Sequence, residues 1–337
     1  MTYPEFIPSV ETMTVAQVED ILPLLKNRIQ PLLLKGAVEH WAIVEAGRQG
    51  QLSNYLSQFD SGKPGVVFRM DKKHEGRVFY NENFSGFNFA RDQALLVDAL
   101  KLLESHPLDG SGYYVGSSSI PYYFPGLTEK LDLGVGAIEP LISLWFGNKT
   151  RIAAHFDLPD NLACVVAGRR RFTLFPPEQV SNLYVGPLDF TPAGQAISLV
   201  DFYHPDPVQF PNYDQALNSA LVANMEAGDV LFVPSMWWHQ VEGLDKVNML
   251  INFWWRATPA WSGLPQDAIS LALLSIGSLP KAQREAWGHI FQHFVVNREQ
   301  ATAHIPPGKR GILTDLNAQS AVQLMAGLMS RLQKFLT

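Results

Sequence analysis

Residues 151 to 161 read RIAAHFDLPDN, a short apolar run of strand character in which His155 and Asp157 stand two positions apart. Alternate residues of a strand point to one side, so an imidazole and a carboxylate converge here while Ile152, Ala154 and Phe156 take the other face. A strand that can bury three apolar side chains gains no stability from two polar groups set opposite them, and the pair needs a partner. That partner is sought in EAGDVLFVPSMWWHQVEGL, residues 226 to 244, where Gly228 and Asp229 make a turn, a strand follows, Pro234 interrupts it, and His239 arrives after two tryptophans.

In a barrel, strands far apart in sequence lie side by side, so a late histidine can meet an early His/Asp pair. Two imidazoles and one carboxylate on one face are the donor set of non-haem Fe(II) sites, which leave three octahedral positions open. Each residue alone also has an ordinary explanation: a hydrogen-bonded core histidine, or an aspartate capping the turn at LPDN.

The surroundings fit a barrel. LISLWFG, LACVVAG, RRFTLFPP, DVLFVPS and NMLINFWWR, all between residues 112 and 258, are short apolar or aromatic runs bounded by Gly, Pro and Asn. Many short strands between turns indicate a sandwich or barrel. Before them, Thr14 and Gln17 have capping-box spacing ahead of a helical pattern, residues 31 to 36 and 64 to 70 read as strands, and residues 94 to 106 read as a helix. After Pro259 the pattern is helical again. The expected organisation is an α/β extension over residues 1–111, a barrel over 112–258 and a helical segment over 259–337.

With 337 residues the chain has a substantial core available without a stabilising metal or disulfide. Its formal charge of -6 disfavours nucleic acid as a partner. Cys164, the only cysteine, excludes an intrachain disulfide and any cysteine-rich metal site, and fits a reducing cytoplasm. The first residues lack a signal-peptide pattern and ILPLLKNRIQPLLLKG is broken by Lys26, Arg28 and Pro31, so neither export nor a membrane partner is expected.

Two long segments, HFDLPDNLACVVAGRRRFTLFPPEQ and EAGDVLFVPSMWWHQVEGLDKVNMLINFWW, resemble the signature regions of the cupin-like JmjC oxygenases, and within them the asparaginyl hydroxylases. The resemblance spans about residues 112 to 256. It implies a mainly β fold, the double-stranded β-helix or jelly-roll barrel, with helical additions. It further implies binding of Fe(II) and 2-oxoglutarate, and use of dioxygen to hydroxylate a peptide or protein side chain or a small metabolite. Carried over position by position, His155, Asp157 and His239 match the metal ligands, Asn161 an asparagine near the metal, and Asn252 one facing the cosubstrate. Tyr114 matches a tyrosine that bonds the far carboxylate of 2-oxoglutarate, with Tyr113 as the alternative.

The sequence departs from those hydroxylases twice. Arg170 stands where they have a lysine for the distal carboxylate, and a guanidinium can grip that group in a bidentate fork. Ile152 stands where they have a hydroxyl side chain, leaving one cosubstrate hydrogen bond to Thr150 or to none. The identity of the 2-oxo acid is therefore less secured than the metal. The competing classes are a metal-dependent cupin enzyme that does not use 2-oxoglutarate and a non-catalytic binding protein on the same fold.

Other residues are read against these. Arg169 and Arg171 should form a solvated charged face opposite Arg170. Of Trp237 and Trp238, one should pack inside the barrel and the other wall a substrate channel. His289 and His293 have helical i, i+4 spacing, but Ile290 stands where a zinc protease carries its glutamate, and Ile290, Phe294 and Val295 read as core. His204 is expected at the surface. Residues 186 to 213 form the loop on which substrate choice depends. Leu324, Met325, Leu328, Met329 and Leu332 form an apolar stripe that must be buried on the same chain or in a homodimer through the C-terminal helices.

Overall fold

The computed structural model describes residues 6–14, 21–105, 109–135, 138–256 and 258–335. The chain divides into two compact units, Met1–Arg256 and Ala257–Thr337. The first carries the strands. In chain order these are β1 (Glu11–Thr14), β2 (Leu32–Lys35), β3 (Pro64–Met70), β4 (Arg77–Val78), β5 (Phe89–Leu95), β6 (Gly112–Ser119) and β7 (Leu141–Gly147). There follow β8 (Arg151–Phe156), β9 (Asp160–Ala167), β10 (Arg170–Phe175), β11 (Leu221–Met225), β12 (Val230–Val233), β13 (Trp238–Gly243) and β14 (Asn248–Trp255).

They form a nine-stranded sheet, ordered β1-β2-β12-β9-β14-β7-β6-β3-β5, and a five-stranded sheet, ordered β11-β10-β13-β8-β4. Four strands after residue 140 lie in the large sheet (β7, β9, β12, β14) and four in the small one (β8, β10, β11, β13). The chain passes back and forth between the sheets as in a jelly roll, and the expected mainly β, cupin-like architecture is what is found. The large sheet also takes strands from the first 111 residues, so the N-terminal segment continues the sheet.

Strand parity explains the layering. Along β9, Leu162, Cys164 and Val166 face a core shared with the helices Ala42–Arg48, Leu52–Ser57 and Leu96–Ser105. Ala163 and Val165 face instead the core between the two sheets, with Phe172 and Leu174 of β10 and Val241 of β13. The helix Leu96–Ser105 buries Leu96, Val97, Leu100 and Leu103, a single face at helical spacing. On β14, Met249, Ile251 and Phe253 go to the helix-covered side, which turns Leu250, Asn252 and Trp254 inward.

Some expectations are corrected. Thr14 is the last residue of β1, paired in parallel with Lys35, rather than a helix cap; residues 15–20 of that reading lie outside the described residues, and the described helix is Ile21–Leu25. The helix expected over residues 94 to 106 runs Leu96–Ser105, because Ala94 and Leu95 belong to β5; His106 lies outside the described residues.

The second unit contains the helices Pro265–Ile276, Lys281–Phe291, Arg298–Thr302 and Ala318–Gln333, with a π-helical turn at Gln292–Val296. Asn317 and Ser320 cap the last helix reciprocally. Ile290, Phe294 and Val295, read as core, are 46%, 38% and 64% exposed. Their helical spacing marks an apolar face, and that face is exposed rather than core. Met325 and Met329 are exposed as well, while Leu324, Leu328 and Leu332 are half-buried. Among the described residues, no helix is long and apolar enough to cross a membrane.

Candidate metal centre and acid-binding cavity

A cavity of about 250 Å³ opens between the sheets, and His155, Asp157 and His239 line it together. Register brings them there: β13 pairs antiparallel with β8, and His239 lies directly opposite His155. The two imidazole centroids are 4.4 Å apart, and one ligand atom from each of the three residues lies within 4.8 Å of the others. His239 Nε2 and Asp157 Oδ2 are separated by 3.5 Å. Ligands at about 2.1 Å from a shared ion and at right angles would be about 3 Å apart, so small side-chain rotations suffice to close the set.

The turn leading into β13 is tied to the carboxylate's own segment. The Met236 amide donates to the Asp157 carbonyl (2.9 Å), the Ser235 amide to Asp160 Oδ1 (2.9 Å) and the Ser235 hydroxyl to the Leu158 carbonyl (2.6 Å). Met236 takes a left-handed φ of 70° to make this reversal.

Both imidazoles have their tautomer fixed. Nδ1 of His155 lies 2.9 Å from the Ala153 carbonyl, and Nδ1 of His239 lies 2.9 Å from the Trp237 carbonyl. A carbonyl only accepts, so each Nδ1 carries the proton and each Nε2 presents a lone pair to the cavity. Burial, reinforced by the neighbouring His239, lowers His155 to about 4, which keeps it unprotonated and ready to ligate. Burial pushes the Asp157 carboxyl up, but the interaction with His239 and the proximity of His155 outweigh it and leave it below the ordinary value.

Of the other predicted site residues, Tyr114, Asn161, Arg170 and Asn252 all line the cavity. Tyr113 does not: it packs on the helix-covered core. Arg170 reaches the wall through the β9–β10 hairpin, whose two-residue turn begins at Gly168 with φ +68°; a Cβ there would sit 2.4 Å from the Val247 carbonyl. Arg170 is 5% exposed, and its guanidinium has a weak contact from Nη2 to the Trp145 carbonyl (3.4 Å) and pairs with no carboxylate among the described residues. Burial lowers it to about 10, and burial likewise raises Tyr114 above the ordinary phenol value.

Four buried polar atoms of residues lining this cavity lack hydrogen-bond partners among the described residues: Asn161 Oδ1, Arg170 Nε, Asn252 Nδ2 and Trp254 Nε1. Unpaired buried donors and acceptors cost stability wherever they stand, and their concentration on one cavity marks a place for a polar ligand. The donor set fits a divalent ion of the Fe(II) type, two neutral nitrogens and a carboxylate on one side, and the wall beyond it fits an anionic acid.

Ile152 also lines the cavity, although it was assigned to the face opposite His155. Pairing of His239 with His155 and of Val241 with Ile152 shows an extra residue in β8, a bulge that rotates Ile152 onto the ligand face. Thr150 is buried elsewhere and does not replace the missing hydroxyl.

Neither tryptophan of the WWH run walls the cavity: Trp237 joins the inter-sheet core and donates to the Ile29 carbonyl (2.9 Å), and Trp238 packs on Phe156 beneath the 182–218 segment. Arg169 lies at the surface, paired with Asp245, as expected. Arg171 is not on a solvated face: it pairs at 2.9 Å with Glu242, itself 2% exposed, and donates to the Tyr203 hydroxyl. His204 is exposed. His289 and His293 join no metal-ligating cluster among the described residues.

The sequence did not single out Trp145 or Trp254, and it marked Gln195 only as part of the 186–213 loop. Trp254 was within reach, since it follows Asn252 by two positions on the same strand face. Trp145 belongs to no recognisable motif.

A family model described as a cupin-like domain matches residues 24–260. The chain is 32% identical over 138 residues to the lysine-specific demethylase JMJ31 of Arabidopsis thaliana, covering 40% of this chain and 24% of that protein. It is 26% identical over 266 residues to tRNA wybutosine-synthesizing protein 4 of Gibberella zeae (74% and 24%). Human HSPB1-associated protein 1 is 36% identical over 114 residues (33% and 23%). The chain thus spans about a quarter of the length of these relatives. A family match over most of the sequence, two facing sheets and a His-Asp-His set between them agree, and the chain belongs to the cupin-like JmjC family.

Proposed function

We propose that the protein is a dioxygenase dependent on Fe(II) and 2-oxoglutarate, hydroxylating a peptide or protein side chain or a small metabolite. The observation that carries this reading is Arg170, a buried guanidinium without a carboxylate partner among the described residues, on the same wall as the three converging ligands. Isolating such a charge costs several kcal/mol, which an anionic cosubstrate repays. A cupin that used its metal alone would have no use for it.

His155, Asp157 and His239 would hold Fe(II), Arg170 and Tyr114 the distal carboxylate of 2-oxoglutarate, and Asn252 would donate its unpaired Nδ2 to the same ligand, with Asn161 on the wall beside the metal ligands. Bound together, iron, 2-oxoglutarate and dioxygen would supply the oxidising power, through conversion of the oxo acid to succinate and carbon dioxide. The chain contributes the fixed tautomers, a largely apolar wall that excludes water, and the orientation of the acid. Arginine replaces the expected lysine, and with Ile152 in place of a hydroxyl the acid's grip rests on Arg170 and Tyr114.

Titration of 2-oxoglutarate into Mn(II)-loaded protein, followed by succinate measurement with Fe(II) in air, tests the reading. Metal-dependent binding and succinate release support it, and saturation with metal but not with 2-oxoglutarate refutes it. We further propose the reducing cytoplasm as the working compartment, consistent with a single cysteine, Cys164, that is fully buried. The exposed apolar faces of the C-terminal unit we assign to a second copy of the chain.

A further inference from the structure

The five-stranded sheet carries a row of charges that its own strands do not balance. Arg77 of β4 stands opposite Arg151 of β8, Arg151 opposite Glu242 of β13, and Glu242 opposite Arg171 of β10. Val241, next to Glu242, lines the cavity, so the row lies on the sheet's far face. Glu242 is paired with Arg171 at 2.9 Å. Arg77 and Arg151 are left side by side and half-buried, and like charges directly opposite each other repel. Glu75 reaches Arg151 at 3.4 Å, but from an exposed side chain whose charge is largely screened.

Asp201, from the segment between β10 and β11, supplies the missing charge. Its Oδ2 lies 3.4 Å from Arg77 Nη1 and its Oδ1 3.4 Å from Arg151 Nη1, one arginine to each oxygen. Burial lowers the Arg77 guanidinium to about 10, Asp201 opposing that shift and Arg151 adding to it. Oδ1 also accepts from the Tyr203 amide (3.0 Å), and the Tyr203 hydroxyl donates to Glu242.

The same stretch walls the cavity. Arg77 Nη2 donates to the Leu199 carbonyl (3.2 Å), and the Ser198 amide donates to the carbonyl of Ala154 (2.7 Å), the residue before His155. Beside them Ile197 lines the cavity, with Gln195, Ala193 and Pro192 beyond it. The other arm of the loop is fastened separately, by the Tyr80 hydroxyl to the Phe190 carbonyl (2.6 Å) and Arg91 Nη2 to the Pro192 carbonyl (3.1 Å). Val200 and Phe202 pack in an apolar core whatever stands at position 201, so loss of the charge loosens the arm without unseating the segment.

We propose that Asp201 is a positioning residue of the cavity. By neutralising the Arg77 and Arg151 pair it holds the Ile197 arm as a pre-formed wall that keeps water from the metal ligands. This deepens the dioxygenase reading and rests on it for what the wall encloses.

The test compares the full chain with Asp201→Asn, which can keep the bond to the Tyr203 amide but not the charge, and with Asp201→Glu, which keeps the charge. Amide exchange is followed in the ligand-free proteins, and water proton relaxation in the proteins loaded with Mn(II) and 2-oxoglutarate. Failure of the unmodified chain to bind either ligand refutes the dioxygenase reading and leaves the exchange measurement standing. In Asp201→Asn the Ser198 and Leu199 amides are expected to exchange about tenfold faster, those of β9 unchanged, and relaxation by the bound Mn(II) to rise. Asp201→Glu should stay within about twofold of the unmodified protein. A merely structural ion pair would lower the unfolding midpoint and move neither the local exchange nor the relaxation. Adding Arg77→Met to Asp201→Asn removes the like pair and should recover part of the protection, or folding itself if the single variant does not fold. Unchanged exchange in Asp201→Asn, faster exchange without more water at the metal, Asp201→Glu as loose as Asp201→Asn, or no recovery in the double variant would overturn the proposal.

Discussion

Replacing Arg170 with methionine separates the two things this side chain does, since it weakens the empty protein and serves the loaded one. Burial lowers the guanidinium from 12.5 to about 10. At about 1.4 kcal/mol per unit, the charged form is penalised by about 3 kcal/mol in the fold. Because the depressed value still lies above pH 7, the group remains charged there and the whole penalty applies; it would fade only as pH rose through about 10. Methionine conserves much of the volume and forfeits only the 3.4 Å contact to the Trp145 carbonyl. The ligand-free Arg170→Met protein should therefore gain about 2 kcal/mol, a rise in Tm of about 4–8 °C. With Mn(II) and 2-oxoglutarate at about a thousand times its Kd, the unmodified protein gains about 4 kcal/mol from the acid and the variant none, reversing their order. Thermal and urea unfolding with and without both ligands measure this. A variant less stable when empty, or equally stabilised by 2-oxoglutarate, would refute the reasoning.

Further outcomes follow from the same geometry. His155 titrates near 6.5 in the unfolded chain and at about 4 in the fold, so the unfolded state takes up the proton first and stability is lost as pH falls from 6.5 to 4, by at most about 3 kcal/mol. Urea midpoints should track that window, the loss being absent in His155→Ala. Trp145→Phe removes the N–H that donates at 2.7 Å to Asn252 Oδ1 and leaves that oxygen unpaired; a destabilisation of about 1–3 kcal/mol by urea unfolding is expected, with weaker 2-oxoglutarate binding by calorimetry. Light scattering should find the full chain dimeric and a chain ending at Arg256, the limit of the first compact unit, monomeric.

What could be read from the sequence was local. His155 and Asp157 share a face by strand parity, and the Gly168 hairpin holds Arg170 inward on β10. The bulge that brings Ile152 to the same wall inserts one ordinary residue into an alanine-containing run, and nothing in RIAAHF marks it. A second irregularity between Val115 and Ser118 of β6 lies within the GYYVGSSS run, where the resemblance favours Tyr114 over Tyr113 for the cavity and the pairing of Tyr114 with Gly147 of β7 accompanies that placement. Arg171 looked solvated because its partner, Glu242, stands across from it on another strand, and cross-strand register has no signature in a single segment. The C-terminal helices were legible as helices, but spacing alone gives an apolar face, not what covers it.

The account depends most on a single ion bound by His155, Asp157 and His239. Anomalous diffraction at the manganese edge, from crystals grown anaerobically with Mn(II) and 2-oxoglutarate, measures that directly. The predicted result is one strong peak at about 2.0–2.3 Å from both histidine Nε2 atoms and an Asp157 oxygen, with the acid chelating the ion and its far carboxylate at Arg170. A peak away from these three side chains, or none at saturating Mn(II), would contradict it.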